Sequence, residues 1–422
     1  MRSPEAPPSL TPSRGGVLFL VGRGGGGHVA SARALQVCAR QQGVTWAEDI
    51  ELIDIGYLIE SFLPGRRGKP RTSGFDGDEL YNWLMKKGLY RLAALCGPLA
   101  LLGASICHGC IMQGFEKFWQ TREPRLVCSF IPFFNGYFRQ SLLRAGSRAT
   151  LFTVCTDFET NRAHRWIPKY DSQWSTRHII VAGTSDLRRQ CNELGYPQAN
   201  VLQTSGMVLH PAFTSSPGVV AAAPNRALVF FGGFAPHAVE GLVRSLRSSH
   251  PELELIVLCG GNDKLRATLE ASGLCAKVEG VLTPEVIADY MRQCCFVIGK
   301  PGPGAVSEAI ACRRPIVTQR KSVMAQELCV LRWVEENNLG IVVDNLKKCP
   351  SDVVARAKAC EVAVERLPEN RAVFEVLEAC EQRILPLREV SFGSSSGAGS
   401  PGMASPAGSD DGTLSRGLLE KV

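Results

Sequence analysis

The chain has 422 residues, 45% of them hydrophobic and 21% charged, which is enough apolar sequence for two cores of ordinary domain size. Its 16 cysteines are scattered and lie mostly inside apolar runs, where a free thiol behaves as a small hydrophobic group. This usage argues against a disulfide framework and indicates a reducing compartment. Basic residues exceed acidic ones by eight in residues 1–215, whereas residues 216–422 hold one more acidic than basic residue. The basic half predicts an anionic partner, either nucleic acid or a bilayer surface.

Neither end of the chain has the composition of a folded domain. Residues 1–15 are rich in proline and lack the apolar core of a secretory signal, although their Ser and Arg content leaves a short organellar address open. Residues 391–415 are mostly Gly, Ser, Pro, Ala and Asp, a composition that buries too little apolar surface to offset chain entropy. We predict disordered tails over 1–15 and 391–422.

Between the tails, short β-branched runs alternate with amphipathic stretches. VLFLVG at the start reads as a strand, followed by a glycine loop and a helix over residues 30–41. Further strands are predicted near residues 51, 126, 150, 179 and 201, and the alternation restarts with RALVFFGG after a linker at 209–225. Such alternation indicates parallel sheets covered by helices on both faces. We therefore predict an α/β protein with two Rossmann-like, doubly wound domains facing across a cleft, at 16–208 and 226–390.

An apolar run at residues 92–112 contains no Asp, Glu, Lys or Arg and is formally long enough to cross a bilayer. Pro98 and three glycines interrupt it, and a crossing here would divide one sheet between two sides of a membrane. We expect a monotopic, partly lipid-contacting segment, with a helix buried in the N-terminal core as the alternative. Cys107 and Cys110 form a lone C-x-x-C in it, and we predict no structural metal.

Basic and aromatic residues precede the apolar run. Their combination beside apolar sequence is typical of a membrane interface, although a solvated charged loop is the alternative. The basic members of this group are Arg66, Arg67, Lys69, Arg71, Lys86, Lys87 and Arg91.

A glycine-rich loop follows the first predicted strand. The sequence GRGGGGHVASARA joins that strand to its helix, where glycines let a bound group approach the backbone and a helix N-terminus offers free N–H groups. His28 stands at the mouth of this loop. Because an imidazole titrates near neutrality and can take a proton from an attacking hydroxyl, we predict that His28 is a catalytic base.

The same loop contains G-x-G-x-x-G as Gly22, Gly24 and Gly27, with Asp49 and Glu51 about twenty positions later. This pattern is typical of dinucleotide binding. The histidine that ends the loop, in place of a small packing residue, argues against that interpretation, and the Gly-Lys-Ser/Thr of a Walker A loop is absent from the sequence. An NAD-dependent enzyme stays open as an alternative.

A second loop lies within CFVIGKPGPGAVSEAIACRRP, residues 295–315, where a Pro-Gly-Pro-Gly turn precedes a helix predicted to begin near Ala305. The N–H groups of Gly304, Ala305 and Val306 can hold a pyrophosphate, because the helix dipole favours negative charge there. Glu308, one turn into the helix, can accept hydrogen bonds from both hydroxyls of a ribose. A plain strand-to-helix turn is the alternative.

Other residues are predicted to reach the same end of the second domain. Gln326 and Glu327 follow the next strand, and Gly232 and Gly233 close the first strand of this half, where they permit close backbone approach. We predict that Gln326 and Glu327 reach the cleft between the two domains.

Four motifs together resemble monogalactosyldiacylglycerol synthase: GGGGHVASARA, TVCTDFET, KPGPGAVSEA and AQE, in matching order over roughly residues 16–346. The same family includes processive diacylglycerol glucosyltransferases and the peptidoglycan N-acetylglucosaminyltransferase. The resemblance implies a GT-B fold and an inverting, metal-independent transfer of galactose from UDP-galactose to diacylglycerol. It also implies no cofactor, no nucleic-acid partner, and peripheral or monotopic association with an anionic membrane, in a plastid or otherwise on a cytoplasmic face.

The resemblance further implies residue roles. His28 is the base, Glu308 holds the uridine ribose, and Gln326 and Glu327 contact the donor sugar. The rest of the expected donor set is Gly232, Gly233, Val281, Lys300, Gly302, Pro303, Gly304, Ala305 and Val306. The expected acceptor-side residues are Gly26, Gly27 and Asp157.

Three positions depart from the family pattern. Ile131 stands where the family commonly has histidine, Ala305 where threonine often follows Gly-Pro-Gly, and Val330 where asparagine is usual. These changes leave the sugar and the acceptor open. They also motivate an alternative, a catalytically silent nucleotide-sugar-binding or lipid-binding relative, against which the retained His28 argues.

Overall fold

A computed structural model of the protein describes residues 15–22, 24, 26–63, 80, 83–84, 89–161, 165–174, 177–214, 223–321 and 323–384. The predicted tails, apart from Gly15, lie outside the described residues. The same is true of most of the predicted basic group, namely Arg66, Arg67, Lys69, Arg71, Lys86 and Lys87.

The first half of the chain forms a sheet of six parallel strands in the order β2-β1-β3-β4-β5-β6. Every residue of β1, β3, β4 and β5 is buried, which explains why these runs are mostly apolar and do not alternate between apolar and polar residues. The strands are β1 (Val17–Val21), β2 (Ile50–Asp54), β3 (Leu126–Ser129), β4 (Thr150–Val154), β5 (His178–Ala182) and β6 (Val201–Gln203).

Helices cover both faces of this sheet. They are α1 (Gly26–Gln41), α2 (Ile55–Phe62), α3 (Tyr90–Ile106), α4 (His108–Arg122), α5 (Asn135–Arg144) and α6 (Ser185–Glu193). Successive side chains of β1 face opposite ways, as the pleat requires: Phe19 packs in a core with α1, and Leu18 packs in another with Phe115 and Trp119 of α4.

The second half forms another six-stranded parallel sheet in the order β12-β11-β10-β7-β8-β9. Its strands are β7 (Ala223–Phe230), β8 (Glu254–Leu258), β9 (Lys277–Glu279), β10 (Cys294–Ile298), β11 (Ile316–Gln319) and β12 (Gly340–Val343). Its helices, with α7 inside the predicted linker, are α7 (Pro211–Thr214), α8 (Ala238–Ser249), α9 (Asp263–Ser272), α10 (Pro284–Gln293), α11 (Pro303–Ala311), α12 (Leu328–Glu336), α13 (Val353–Ala359) and α14 (Glu361–Glu365). The predicted pair of doubly wound α/β domains is confirmed.

Strand order reverses at one point in each sheet, between β1 and β3 in the first and between β7 and β10 in the second. In open α/β sheets, ligands bind beyond the carboxyl ends of the strands at such a switch point. Both predicted glycine loops lie there, since one follows β1 and the other follows β10. Gly299 allows the chain after β10 to lie close to the end of β7. A Cβ at this position would lie 2.1 Å from the carbonyl oxygen of Phe230.

The last described helix, α15 (Ala372–Glu381), returns to the first sheet. Its buried residues join the core that α1 and β1 form, and Cys380 Sγ lies 3.9 Å from Cys128 Sγ in β3. The sequence assigned this segment to the domain at 226–390, because an amphipathic pattern marks a buried face without naming the sheet that covers it. The structure places the helix with the first domain instead.

The predicted apolar run at 92–112 forms most of α3 and the first turn of α4. In the described part of the chain no single helix meets the length and hydropathy of a membrane span, while Leu95–Ile106 and His108–Arg122 meet them only as a pair bent by 83°. Helix α4 is a core helix. Helix α3 exposes one apolar face, with relative exposures of 52–78%, which we call the α3 stripe: Leu92, Leu95, Leu99, Leu102 and Ile106.

The return of α15 gives a stability prediction. Leu377→Ala removes a side chain that is 3% exposed in the first core and should lower the free energy of unfolding by about 2–5 kcal/mol. Urea unfolding followed by tryptophan fluorescence measures this change. Glu378→Ala, at an exposed site on the same helix, is the control and should stay within about 0.5 kcal/mol of wild type. Equal effects of the two substitutions would contradict the docking of α15.

Candidate active site

His28 lies on a helix and not in a loop. The structure begins α1 at Gly26, four residues before the predicted start, so His28 is in the first helical turn. Its ring nitrogen Nδ1 lies 3.0 Å from Thr156 Oγ1, and its ring centroid is 5.7 Å from that of Trp166. A titratable side chain is therefore held in a defined orientation at the switch point of the first sheet.

Asp157 belongs to the same cluster. The side chain is 5% exposed, and its Oδ2 accepts a hydrogen bond of 2.8 Å from Nε1 of the fully buried Trp166. Asp157, an expected acceptor-side residue, therefore binds Trp166, whose ring lies beside that of His28. Thr156 and Trp166 were not predicted as site residues, although the motif TVCTDFET begins in β4 and places Thr156 just beyond the end of that strand.

Gly26 and Gly27 open the first turn of α1. Both are exposed, and a Cβ at either position would meet nothing within 4 Å. The backbone beside His28 is therefore accessible to a bound molecule, as expected for acceptor-side residues.

The second glycine loop forms the start of α11. Gly302 is the N-cap residue and Pro303 occupies the first helical position, where the missing N–H of proline has no cost. By helix geometry the N–H groups of Gly304 and Ala305 have no partner within the helix. Val306 differs from the prediction, because its N–H already donates to the Gly302 carbonyl at 3.0 Å and its side chain is buried in the core.

Lys300 bends toward this helix start. A Cβ built on Gly302 would lie 3.3 Å from Lys300 Cε and 3.9 Å from its Nζ, so the ammonium group lies beside the first turn of α11. The same Nζ is 3.9 Å from Glu327 Oε1. Its positive charge adds to the positive end of the helix dipole and favours an anion at this place.

Glu308 points from α11 as a half-buried carboxyl group. Burial raises its pKa to about 7, because desolvation disfavours the charged form. When this buried carboxylate is ionised, hydroxyl groups can donate hydrogen bonds to it in place of the water that burial removes. The two hydroxyls of a ribose are donors of this kind.

Gln326 and Glu327 lie in a single turn of 3₁₀-helix, Ala325–Glu327, after β11. They are 8% and 5% exposed, and Glu327 Oε2 accepts from the Met324 N–H at 2.8 Å. Burial raises the pKa of Glu327, Lys300 and the Met324 hydrogen bond act in the opposite direction, and the negative charge of Asp157 raises it further.

The segment that carries Asp157 also contacts the second half directly. Phe158 and Trp333 of α12 pack edge to face with centroids 5.3 Å apart, and Glu159 Oε2 lies 4.0 Å from Arg332 Nη1. Through these two contacts with α12, the structure brings the predicted acceptor-side residues close to the predicted donor-side residues.

The remaining predicted donor residues lie on neighbouring loops. Gly232 has a φ of +84°, a conformation that favours glycine. The carbonyl of Gly233 accepts from Gly261 at 2.9 Å, which ties the end of β7 to the loop after β8. Val281 follows β9 and is 79% exposed, so it lies at the outer edge of the sheet without a packing role.

The acidic residues of the dinucleotide alternative are engaged elsewhere. Asp49 precedes β2 and Glu51 is near its amino end, at the edge of the sheet away from the glycine loop. Asp49 Oδ2 accepts from Arg125 at 2.6 Å, and Glu51 pairs with Arg122. Neither Asp49 nor Glu51 is therefore placed to hold a ribose at the glycine loop.

The three departures from the family pattern have different surroundings. Ile131 is 6% exposed, and a Cβ on Gly22 would be 3.4 Å from its Cγ2, so it supports the first glycine loop. Ala305 is half-buried in the first turn of α11. Val330 is fully buried in the apolar core under the second sheet. Only Ile131 and Ala305 therefore touch the site.

No protein-family model matches the chain. Its relatives include the processive diacylglycerol beta-glucosyltransferases of Bacillus cereus strain B4264, 24% identical over 388 residues covering 88% of this chain and 90% of the relative, and of Bacillus mycoides strain KBAB4, 24% identical over 362 residues covering 81% and 84%. Among solved structures, the S. aureus MnaA-UDP co-structure superposes with a TM-score of 0.50 at 11% identity, covering 87% of this chain and 96% of that one.

These similarities bear on two expectations. The two parallel six-stranded sheets of this chain, together with its structural similarity to that protein, confirm the GT-B fold class. Similarity over most of the chain supports the resemblance to diacylglycerol glycosyltransferases, while the relatives' names give no support to galactose in particular.

The raised pKa of Glu308 gives a prediction about stability. The unfolded carboxyl ionises near its ordinary pKa of 4.5 and the folded one near 7, so wild type should lose up to about 3 kcal/mol of stability as pH rises through this interval. Glu308→Gln cannot ionise. Its free energy of unfolding relative to that of wild type should therefore be higher at pH 8 than at pH 5. Urea unfolding at both pH values measures the difference, with the exposed Glu378→Gln as control. If the free energies of unfolding of wild type and Glu308→Gln changed in parallel with pH, the raised pKa of Glu308 would be contradicted.

Proposed function

We propose that this protein is a glycosyltransferase that moves a hexose from a UDP-sugar to diacylglycerol or a related lipid. The observation that carries the proposal is the placement of an oriented imidazole, His28, and an anion-binding helix start at the switch points of two sheets joined through Asp157 and Phe158. The similarity to processive diacylglycerol beta-glucosyltransferases supports the substrate class.

The donor is bound by the second half in this proposal. The N–H groups of Gly304 and Ala305 hold the pyrophosphate, and Lys300 adds a positive charge beside them. Glu308 accepts from the ribose hydroxyls, and Gln326 and Glu327 contact the sugar. Gly232, Gly233 and Val281 lie on the loops that surround the nucleotide.

The reaction proceeds by single displacement. The acceptor hydroxyl loses its proton to His28 as its oxygen forms a bond to the anomeric carbon of the sugar. The bond from that carbon to the phosphate oxygen breaks, and UDP leaves with the electron pair, so the anomeric configuration inverts. Fixed N–H groups and Lys300 stabilise the charge on UDP without a metal.

The identity of the transferred sugar is decided by assay. The relatives are named for glucose, which favours the glucosyltransferase alternative over the galactose that the motifs first indicated. Because the residues at Ile131 and Ala305 depart from the family pattern, we propose a hexose as the general donor class and glucose as the preferred member.

The α3 stripe supports a membrane as the source of the acceptor. Its five side chains are the largest group of exposed apolar residues on one helix of the described chain. On the opposite face of α3, Ala93 packs with Met324, whose N–H binds Glu327. The stripe is thus one helix away from the sugar end of the site, and we propose that it contacts the bilayer from which diacylglycerol enters.

The assay of function uses the full chain, diacylglycerol vesicles and UDP-glucose, UDP-galactose or UDP-N-acetylglucosamine in parallel. We expect glycolipid formation, fastest with UDP-glucose. His28→Ala should lower kcat by about 10²–10⁴-fold with UDP affinity nearly unchanged, because a general base acts on the acceptor. His108→Ala, at an exposed histidine of α4, is the control. UDP binding without product from any donor would identify a silent nucleotide-sugar-binding protein, and full activity of His28→Ala would refute the base.

Vesicle flotation tests the membrane contact. Leu99→Glu/Leu102→Glu places two charges on the α3 stripe while keeping good helix formers, and should weaken vesicle binding at least about tenfold, since each buried leucine contributes roughly 1.5–3 kcal/mol. Val286→Glu/Val362→Glu, at exposed valines of the second half, is the matched control. We expect stronger binding to anionic than to neutral vesicles, with the difference shrinking as salt rises. Equal binding of both variants would refute the contact.

A further inference from the structure

We propose that the loop after β3, residues 130–134, binds an acyl chain of the lipid acceptor, and that Phe133 is a specificity-determining residue for that chain. We call this segment the β3 loop. The inference rests on the proposed function, because it concerns the acceptor of that reaction. It starts from the backbone of Phe133, whose φ is +72°. This left-handed conformation favours glycine and is an outlier for a bulky residue.

The β3 loop lies at the switch point of the first sheet, beside the glycine loop that leads to His28. Strands β1 and β3 are neighbours, and the Phe130 N–H donates to the Leu20 carbonyl at 2.9 Å. A Cβ on Gly22 would lie 3.4 Å from Ile131 Cγ2, so the two loops are in close contact. Ligands of open α/β sheets bind in the crevice at such a point. The β3 loop therefore forms one wall of the crevice in which we place the acceptor.

Hydrogen bonds from the next wall of the site hold the strained residue in place. The Phe133 N–H donates to the Arg165 carbonyl at 2.7 Å. Asn135, which is 1% exposed, donates from Nδ2 to the Trp166 carbonyl at 2.9 Å, and the ring of Trp166 lies beside that of His28. Backbone outliers persist only where their surroundings fix them, and they cluster at functional sites. Phe133 is thus fastened to the segment that contacts the proposed base.

The composition of the β3 loop fits an apolar ligand. Its sequence, FIPFF, contains no polar side chain. Phe130, Ile131 and Pro132 are buried, whereas Phe133 and Phe134 are half-buried, so the part of the loop that solvent or a ligand can reach is aromatic. Sites for polar ligands present side-chain donors and acceptors, and apolar parts of ligands are bound by hydrophobic and aromatic side chains. In the proposed reaction the lipid acceptor is the substrate with an extended apolar part.

The β3 loop is also continuous with the α3 stripe. Phe134 packs on the core in which Ala104 of α3 is buried. Ala104 lies between Leu102 and Ile106, which belong to the exposed stripe. A chain that leaves a bilayer at this end of α3 therefore meets the β3 loop next. Binding the chain there holds the glycerol end of the lipid at the crevice, and such positioning of a reacting group is a source of rate.

The kinetic test compares dioctanoylglycerol with dibutanoylglycerol, which share the reacting hydroxyl and differ in chain length. Phe133→Ala should lower kcat/KM about tenfold or more for dioctanoylglycerol and less than about threefold for dibutanoylglycerol, because apolar contact area is lost only to the longer chain. The KM for the UDP-sugar should stay within about twofold. Phe118→Ala is the control, since Phe118 is half-buried in α4 beside Arg122, far along the chain from the β3 loop. It should leave the ratio of the two kcat/KM values unchanged. Equal losses with both acceptors, or no loss, in Phe133→Ala would overturn the proposal.

A second pair of variants tests the strain. Phe133→Gly and Phe133→Ala remove the same aromatic ring, but only glycine adopts the left-handed backbone without cost. Phe133→Gly should therefore unfold at a higher urea concentration than Phe133→Ala, although glycine is the less stable choice at an ordinary position. Both variants should lose the preference for dioctanoylglycerol. A more stable Phe133→Ala would overturn the inference. Absence of product from every acceptor with wild type would overturn the proposed function instead, so the two failures are distinguishable.

Discussion

Four consecutive residues, 156–159, hold the two halves of the site in one arrangement. Thr156 contacts His28, Asp157 binds Trp166, and Phe158 packs against Trp333 of the second half. The segment follows the carboxyl end of β4, so its backbone is fixed by a fully buried strand. Because one short stretch of chain serves both halves, the orientation of the imidazole and the contact with the donor-side helices are mechanically linked. A shift of this segment would disturb both at once.

Sequence patterns predicted the parts of this design that are local. A glycine loop after a strand, a Pro-Gly turn before a helix, and acidic or amide side chains after a strand are short signals with direct physical meaning, and they located His28, Glu308 and Gln326 correctly at the carboxyl ends of the sheets. The apolar run at residues 92–112 was also recognised in the sequence, although the exposed face that α3 presents was not. These patterns did not indicate which element of the structure packs against each helix face.

Long-range pairings could not be predicted from the same patterns. The contact of His28 with Thr156 spans 128 positions, and that of Cys128 with Cys380 spans 252. Nothing in an amphipathic helix such as α15 names the sheet it covers, and a polar residue after a strand can face either half of a two-domain protein. The beginning of α1 at Gly26 was missed for a related reason, since glycines have low helix propensity and tertiary contacts of the first turn decide the boundary.

Electrostatics and geometry join the donor end to the membrane end. Glu327 is buried, and burial and the negative charge of Asp157 raise its pKa, while Lys300 and the Met324 N–H lower it. The balance therefore depends on the position of Met324, and Met324 packs against Ala93 of α3. A helix is about 10 Å across, so a lipid contact on the α3 stripe acts about one helix diameter from the carboxylate that we assign to the sugar. In the function that we propose, α3 therefore stands between the bilayer that supplies the acceptor and the part of the site that holds the donor.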